Sequence, residues 1–284
     1  LALREGFRSI EHVKRYTTTG MGTDQGKLGN MHALGIIADT TGVKMSEVGT
    51  TTFRPPYTPL TFGTIVGRNV GEYFDILRRT PMNDWHVINR AKFENVGQWK
   101  RAWYYPKNNE NMHEAVQRES VAARDSAGIL DASTLGKIDI QGSDASEFLN
   151  RVYTNAWSKL GIGKCRYGLM LNEDGMVYDD GVTTRLDENH YIMTTTTGGA
   201  ANVMGKLEDY LQTEWPELDV YLTSVTDHYA TASVCGPNSK KILNKLIPDL
   251  DLSDDNFPHM SFKEAQIGKI KCRVMRISFT GEHS

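Results

Sequence analysis

One stretch, residues 167–180, constrains the fold of this chain more than any other. Two runs of strand composition flank the turn signal Asn172-Glu173-Asp174-Gly175, which is typical of a β-hairpin. With these four residues as the loop, Tyr167 lies directly opposite Asp180, and directly opposed residues share one face of a sheet. The pattern therefore predicts an antiparallel hairpin that places an aromatic ring beside an acid.

Asp180 is the candidate site residue of this hairpin. Side chains alternate along a strand, so Asp179 points to the opposite face. Asp180 shares its face with apolar, aromatic and hydroxyl residues, namely Met176, Tyr178, Val182 and Thr184. A lone carboxylate among such neighbours is costly unless it is paired, which favours a functional role. The alternative is a solvated pair of aspartates at a strand end, because a one-residue slip in register would turn Asp180 to solvent.

The composition excludes several classes of protein. The formal net charge of −3 gives no reason to expect nucleic acid or an anionic membrane as a partner, and no apolar run is long enough for a membrane span. Cys165, Cys235 and Cys272 are widely separated, which argues against disulfides and indicates a reducing, cytoplasmic location. We predict no metal site, because no two histidines have metal-ligand spacing.

Residues 1–66 are predicted to form a first, helical unit. Helices are expected over residues 1–16 and about 30–40, with a short turn near Ser46 and a proline-rich extended connector at 49–59. The loop at residues 17–27 is rich in glycine and hydroxyl groups. It can bind phosphate through backbone N–H groups or serve as a surface turn, and the residues leave both open.

From about residue 80 the pattern changes to α+β. A helix is predicted over 110–126, with Ala115, Val116, Val121 and Ala122 on one buried face. A strand, glycine turn and helix at Gly142 recur at Gly236, which indicates a duplicated unit. Further strands are expected near residues 136–141, 166–171, 176–186, 190–196, 218–223, 230–235 and 268–279, and helices near 143–152, 200–213 and 237–246.

From Thr80 onward the chain resembles the folate-binding aminomethyltransferase fold of the glycine-cleavage T-proteins. The matching elements are Trp99, Asp131-Ala132-Ser133-Thr134-Leu135-Gly136, Tyr167, Met170-Leu171-Asn172-Glu173-Asp174-Gly175, Asp179-Asp180, Cys235-Gly236-Pro237 and Thr280-Gly281-Glu282. The first 66 residues resemble the end of the nucleotide-binding portion in the α subunits of heterotetrameric sarcosine oxidases. The motifs that carry this second resemblance are His12-Val13-Lys14-Arg15-Tyr16-Thr17, Thr23-Asp24-Gln25-Gly26-Lys27 and Gly49-Thr50-Thr51-Thr52-Phe53-Arg54-Pro55-Pro56.

The resemblance implies an organisation and an activity. We expect the end of a nucleotide-binding domain at 1–66, a linker at 67–79 and a T-protein-like domain at 80–284 that is truncated at its C-terminus. The chain is thus expected to be a fragment of an enzyme that demethylates sarcosine oxidatively and gives 5,10-methylenetetrahydrofolate from tetrahydrofolate. Alternatives are a glycine-cleavage aminomethyltransferase and a non-enzymatic folate-binding scaffold, and the first 66 residues argue against both.

The resemblance also implies partners, cofactors and site residues. It implies β, γ and δ subunits, FMN at the interface with the β subunit, and NAD and FAD in the full enzyme but not on this fragment alone. Asp180 takes the role of the acid that faces the reactive folate nitrogens. The predicted folate-pocket residues are Tyr167, Leu135, Val182, Thr184 and Thr196, although the family often has an aromatic residue at 184 and an asparagine at 196.

Four residues of the connector are predicted to contact the flavin phosphate. They are Thr50, Thr51, Thr52 and Arg54, since hydroxyl groups and a guanidinium suit phosphate geometry. The alternative is a connector whose threonines bond to their own backbone. Because the T-protein pocket continues beyond Glu282, we expect the fragment alone to bind folate weakly or not at all.

Overall fold

The computed structural model of the chain describes residues 1–55, 58, 60–68, 70–71 and 76–278. Pro56, Tyr57 and Pro59 of the predicted connector, part of the predicted linker, and the Thr280-Gly281-Glu282 motif lie outside this range. The chain divides into two compact units, Leu1–Asp75 and Ile76–Ser284. Within the described residues, no helix is both long enough and apolar enough to cross a membrane.

The described helices are α1 (Ile10–Tyr16), α2 (Gly29–Thr41), α3 (Phe62–Val66), α4 (Asn83–Ile88), α5 (Met112–Asp125), α6 (Ala145–Val152), α7 (Ala200–Thr213) and α8 (Ser239–Leu246). The strands are β1 (Arg78–Arg79), β2 (Lys92–Val96), β3 (Trp99–Tyr104), β4 (Gly128–Asp131), β5 (Gly136–Gln141), β6 (Cys165–Leu171), β7 (Val177–Asp187), β8 (His190–Thr195), β9 (Tyr221–Ser224), β10 (Ala232–Cys235), β11 (Ser261–Ile267) and β12 (Ile270–Arg276). Short 3₁₀ turns cover Met45–Glu47, Trp157–Lys159 and Thr226–His228.

The first unit is helical around a small core. Apolar side chains of α1, α2 and the preceding segment form this core, namely Ala2, Ile10, Val13, Leu34 and Ile37. The predicted second helix and the turn near Ser46 are confirmed by α2 and by the 3₁₀ turn at Met45–Glu47. The prediction of a helix from residue 1 is wrong. Gly6 has a φ of 97° and Ser9 is extended, so α1 begins only at Ile10.

The second unit is built on a five-stranded sheet with the strand order β6-β7-β8-β5-β9. Its strands pair antiparallel throughout. One face of the sheet packs against α6, α7 and the turn at Trp157 to form the main core, which includes Ile138, Ile140, Phe148, Leu149, Trp157, Met170, Tyr191, Met193, Val203 and Leu207. The α+β class is therefore confirmed, and α7 has the predicted bounds.

The repeated strand, glycine turn and helix are also found. Gly142 follows β5 and Gly236 follows β10, with φ values of 134° and 97°, and α6 and α8 begin three residues after them. A Cβ at Gly142 would lie 2.0 Å from the carbonyl oxygen of Asp219, so neither the conformation nor the space admits a side chain there. The two strands belong to different sheets, because β10 pairs with β4.

The structure corrects the predicted buried face of α5. Ala115 is fully buried, but Val116 and Val121 are 41% and 50% exposed. The helix is held instead through polar groups at Tyr105, whose backbone N–H donates to Glu119 and whose carbonyl accepts from Arg118. Several helices and strands were not predicted at all, namely α3, α4, β1, β2, β3, β4 and β11.

The hairpin of β6 and β7 exists, but its predicted register is wrong. Tyr167 pairs with Val182, and Leu169 rather than Tyr167 pairs with Asp180. The loop is one residue shorter than predicted, because the N–H of Asn172 donates to the carbonyl oxygen of Met176 at 2.8 Å.

A second irregularity follows the loop. The ladder shifts between the pairs Leu171–Val177 and Met170–Asp179, so Tyr178 is an extra residue in a β-bulge. Each of the two irregularities moves the register by one residue. Together they return Tyr167 and Asp180 to the same face of the sheet.

Candidate functional site

The sheet face that points away from the main core carries most of the predicted folate residues. We call it the Asp180 face, and it comprises Leu169, Tyr167, Asp180, Val182, Thr194, Lys137 and Leu135. A row of direct pairs crosses it, from Tyr167–Val182 on β6 and β7 to Thr194–Lys137 on β8 and β5. The N–H of Val182 donates to the hydroxyl oxygen of Thr194 at 2.9 Å and connects the two pairs.

Asp180 lies in the middle of this face beside Tyr167. The Tyr167 hydroxyl donates to Oδ2 of Asp180 at 2.8 Å, and this hydrogen bond raises the pKa of Tyr167. Asp180 is not enclosed by the apolar neighbours that the sequence predicts for its face. The carboxylate is half-buried and Tyr167 is 49% exposed, because the helices of the main core cover the other face of the sheet. The arrangement leaves an oriented acid within reach of a ligand.

The buried acid of the pair is Asp179, which is 5% exposed. Its carboxylate accepts from the N–H and the hydroxyl of Thr196 at 3.2 and 2.6 Å. Burial raises the pKa of Asp179, while the bonds from Thr196 act in the opposite direction. The Thr196 hydroxyl oxygen also accepts from the N–H of Gly199 at the start of α7. The structure therefore brings Thr196 to Asp179 and not to Asp180.

Thr184 shares the Asp180 face but lies under other elements. Its hydroxyl is 3.2 Å from the Cys165 sulfur and donates to the Met275 sulfur of β12 at 3.6 Å. The residue is fully buried. A ligand on the Asp180 face can touch Thr184 only by displacing Met275.

Leu135 is half-buried at the start of β5, and a buried lysine holds its loop. The ammonium group of Lys137 donates to the carbonyl oxygens of Ser133 and Leu135 at 3.0 and 2.8 Å. Burial lowers the pKa of Lys137 to about 8, against the raising influence of Asp131 and Asp227. Sequence reasoning missed Lys137, although a charged residue beside the isoleucines of the predicted strand at 136–141 was the available signal.

A buried polar cluster supports the other end of the same loop. His86 Nε2 lies 2.8 Å from Oδ2 of Asp131, and the Tyr105 hydroxyl lies 2.7 Å from His86 Nδ1. The other oxygen of Asp131 accepts from the N–H of Ser133 at 3.0 Å. The cluster connects α4 and the segment after β3 to β4, and it was not predicted because its members are far apart in the sequence.

The connector residues of the first unit are engaged within that unit. The Thr51 hydroxyl donates to Glu11, and Arg54 donates to the carbonyl oxygens of Lys14 and Thr19. Thr50 and Thr52 are exposed, and the carbonyl oxygen of Thr52 accepts from Lys14. In this arrangement the Thr51 hydroxyl can donate to a phosphate only by breaking its bond to Glu11, whereas the bonds of Arg54 use Nε and Nη2 and none of them uses Nη1.

The other proposed phosphate site is the loop before α2. The Asp24 carboxylate accepts from the N–H groups of Leu28 and Gly29 at 2.9 and 2.8 Å. These bonds lower the pKa of Asp24. An acidic side chain thus takes the place that an anion would occupy, which favours the structural alternative for this loop. In the described part of the chain, no group of three or more His, Cys, Asp or Glu is placed to hold a metal ion.

The second unit is thus an antiparallel sheet with helices on one face and the oriented Asp180 carboxylate on the other. The family model described as the GCVT N-terminal domain matches residues 82–284, and the chain belongs to this family. The model described as the sarcosine oxidase A3 domain matches residues 1–68.

Individual relatives agree with both matches. Sarcosine oxidase subunit alpha of Corynebacterium sp. (strain P-1) is 54% identical over 279 residues, which is 98% of this chain and 29% of that protein. The corresponding subunit of Rhizobium meliloti (strain 1021) is 51% identical over 99% of this chain and 29% of that protein. The chain thus spans less than a third of the length of these relatives.

A solved structure confirms the fold. The aminomethyltransferase T of the glycine cleavage system from Bartonella henselae is similar with a TM-score of 0.62 and 25% identity, covering 73% of this chain and 52% of that one. The aminomethyltransferase of Thermotoga neapolitana is 29% identical over 206 residues, which is 72% of this chain and 53% of that protein. The predicted T-protein-like fold is therefore confirmed. The relatives are sarcosine oxidase α subunits and aminomethyltransferases, as the resemblance implied.

Proposed function

We propose that this chain is the folate-facing part of a sarcosine oxidase α subunit. Its parent enzyme would oxidise sarcosine and transfer the one-carbon unit to tetrahydrofolate, giving 5,10-methylenetetrahydrofolate. The observation that carries this proposal is the Asp180 carboxylate, which the Tyr167 hydroxyl orients at 2.8 Å on the sheet face away from the core. The two family matches, one on each unit, favour this function over a plain glycine-cleavage aminomethyltransferase.

The chemistry follows from the position of Asp180. A half-buried carboxylate can stabilise a cationic iminium carbon and accept the proton that a folate nitrogen loses when it bonds to that carbon. The electron pair of the C=N bond passes to the nitrogen derived from sarcosine, which leaves as the amino group of glycine when the second folate nitrogen closes the methylene bridge. Tyr167, Leu135 and Val182 would pack against the flat ring system, whose apolar surface suits these side chains. Thr184 and Thr196 would support the pocket without touching the ring system, because their hydroxyl groups already bond to Met275 and Asp179.

The remaining predictions belong to the parent enzyme. It would assemble with β, γ and δ subunits in the cytoplasm, with NAD and FAD bound by portions outside this chain and FMN at the interface with the β subunit. Thr50, Thr51, Thr52 and Arg54 stay candidates for the flavin contact, with Thr51 exchanging its bond to Glu11 for one to phosphate and Arg54 donating through Nη1.

The assembled parent enzyme tests the role of Asp180. In the Asp180→Asn variant we expect oxygen consumption to persist while the yield of methylenetetrahydrofolate falls by about a hundredfold and formaldehyde is released, since the loss of a general base has about this effect. Asp209→Asn, an exposed aspartate of α7, is the matched control and should behave as wild type. A normal folate product yield in Asp180→Asn would disprove the role.

A further inference from the structure

The end of the β6–β7 hairpin is held by α7 through one lysine. The ammonium group of Lys206 lies 3.1 Å from Oε1 of Glu173 and donates to Oδ1 of Asn172 at 3.3 Å, so it binds two consecutive residues at the β6 end of the loop. The same group lies 4.8 Å from the centre of the Tyr178 ring. The Lys206 side chain is only 16% exposed. Lys206 thus contacts the loop and the bulge residue at once.

A second residue of α7 strengthens this contact. The Tyr210 hydroxyl donates to Oε1 of Glu173 at 3.2 Å, one helical turn beyond Lys206. The start of α7 is linked to β7 at Asp179, the residue after the bulge. The Thr196 hydroxyl donates to the Asp179 carboxylate and accepts from the N–H of Gly199. Helix α7 therefore contacts the hairpin before the bulge residue Tyr178, at the loop, and after it, at Asp179.

The position of the bulge decides which aspartate faces Tyr167. In a regular ladder with the observed loop, Leu171 would still pair with Val177, but Leu169 would pair with Asp179 instead of Asp180. Because the neighbouring residues are both aspartate, that register would also place an acid beside Tyr167. On the β8 side Gly181 opposes the slip, since a Cβ there would lie 1.9 Å from the carbonyl oxygen of Thr194.

We propose that Lys206 is a positioning residue that keeps the extra residue of β7 at Tyr178, so that Asp180 and not Asp179 faces Tyr167. The ammonium group does so by binding the loop and the Tyr178 ring simultaneously. This inference rests on the proposed function in one respect, namely that Asp180 is the acid of the folate site. The positioning of Asp180 by Lys206 is itself a structural claim.

The Lys206→Met variant of this chain tests the inference without any ligand. The readouts are the pKa of Tyr167 with and without Asp180→Asn, followed by NMR of labelled tyrosine and assigned with Tyr167→Phe, and the amide hydrogen exchange of residues 177–180. In Lys206→Met the part of the population that slips presents Asp179 to Tyr167, so the raised pKa of Tyr167 should persist but depend less on Asp180. We expect the added substitution Asp180→Asn to lower the Tyr167 pKa less in Lys206→Met than it does in wild type. Amide exchange at residues 177–180 should rise at least about tenfold as the local structure opens.

Two further variants separate positioning from general stability. Lys206→Arg retains a cation and should restore both readouts, whereas Lys241→Met, an exposed lysine on α8, should leave them unchanged. If Lys206→Met does not fold, Glu173→Gln removes the charge partner of Lys206 from an exposed site and should shift both readouts in the same direction. If Asp180→Asn lowers the Tyr167 pKa equally in wild type and in folded Lys206→Met, and amide exchange in Lys206→Met is that of wild type, the inference is overturned.

The proposed function is tested separately by titrating tetrahydrofolate into the assembled parent enzyme. Failure of folate binding there would leave the register measurements intact. If the register measurements fail, Asp180 keeps its proposed role as the acid of the site, but Lys206 is not the residue that positions it.

Discussion

Two adjacent residues of one strand, Asp179 and Asp180, have the same side chain and different environments. Asp179 faces the core side, where Thr196 donates two hydrogen bonds to it. Asp180 faces the opposite side, where Tyr167 donates one. The alternation of a β-strand thus gives one acid an anchoring role and leaves its neighbour available to a ligand.

The environment of Asp179 predicts a pH dependence of stability. Its pKa is raised above 3.8 by burial, so the folded state binds the proton more tightly than the unfolded state does. The stabilisation from this group is fully present below the unfolded pKa and is lost as the pH rises through the raised folded pKa. We therefore expect urea unfolding of Asp179→Asn to show a smaller loss of unfolding free energy than wild type over that pH interval. Asp209→Asn should follow wild type, and parallel curves for Asp179→Asn and wild type would refute the assignment.

At the scale of elements, strands and helices were predictable wherever periodicity or composition was strong. The strands β5 to β8 and the helix α7 follow alternation and amphipathic spacing, which are local properties of the sequence. The register of the hairpin was not predictable, because the bulge at Tyr178 is held by Lys206 on a distant helix. The faces of Tyr167 and Asp180 were nevertheless predicted correctly, since the two register shifts add to two residues and side chains alternate with a period of two.

The buried bond between His86 and Asp131 predicts how α4 is attached to β4. In His86→Leu the buried Asp131 carboxylate would lose the hydrogen bond to His86, while the N–H of Ser133 still donates to its other oxygen. Leaving a buried acceptor without one partner costs about 1–3 kcal/mol of unfolding free energy. Chemical denaturation measures this loss. Asp227→Asn, which breaks the exposed pair with Arg78, is the control and should cost less than about 1 kcal/mol. A loss in His86→Leu as small as in the control would show that the cluster does not hold these elements together.

At the scale of the whole molecule, each unit has a hydrophobic core of its own. The core of the first unit draws on residues up to Leu34 and Ile37, while the main core of the second unit begins at Ile138. The chain is therefore organised as two separately packed units, in agreement with the two family matches at 1–68 and 82–284.

This organisation predicts that residues 76–284 fold when they are expressed without residues 1–75. We expect dispersed amide resonances and a single cooperative unfolding transition, because the buried side chains of the sheet, α6 and α7 are all contributed by this unit. The readouts are a heteronuclear NMR spectrum and thermal unfolding of the isolated unit. A non-cooperative transition would mean that the second unit depends on the first.

The bulge at Tyr178 also has a consequence for chain length. Removing this one residue would leave Leu171 beside Val177 and Met170 beside Asp179, so every later pair of the ladder would survive unchanged. A homologous hairpin that is one residue shorter can therefore present its acid on the same face of the sheet without a β-bulge. Such a hairpin would need no lysine on the neighbouring helix to hold an extra residue in place. A hairpin as long as the one in this chain does need such a cation, which here is Lys206.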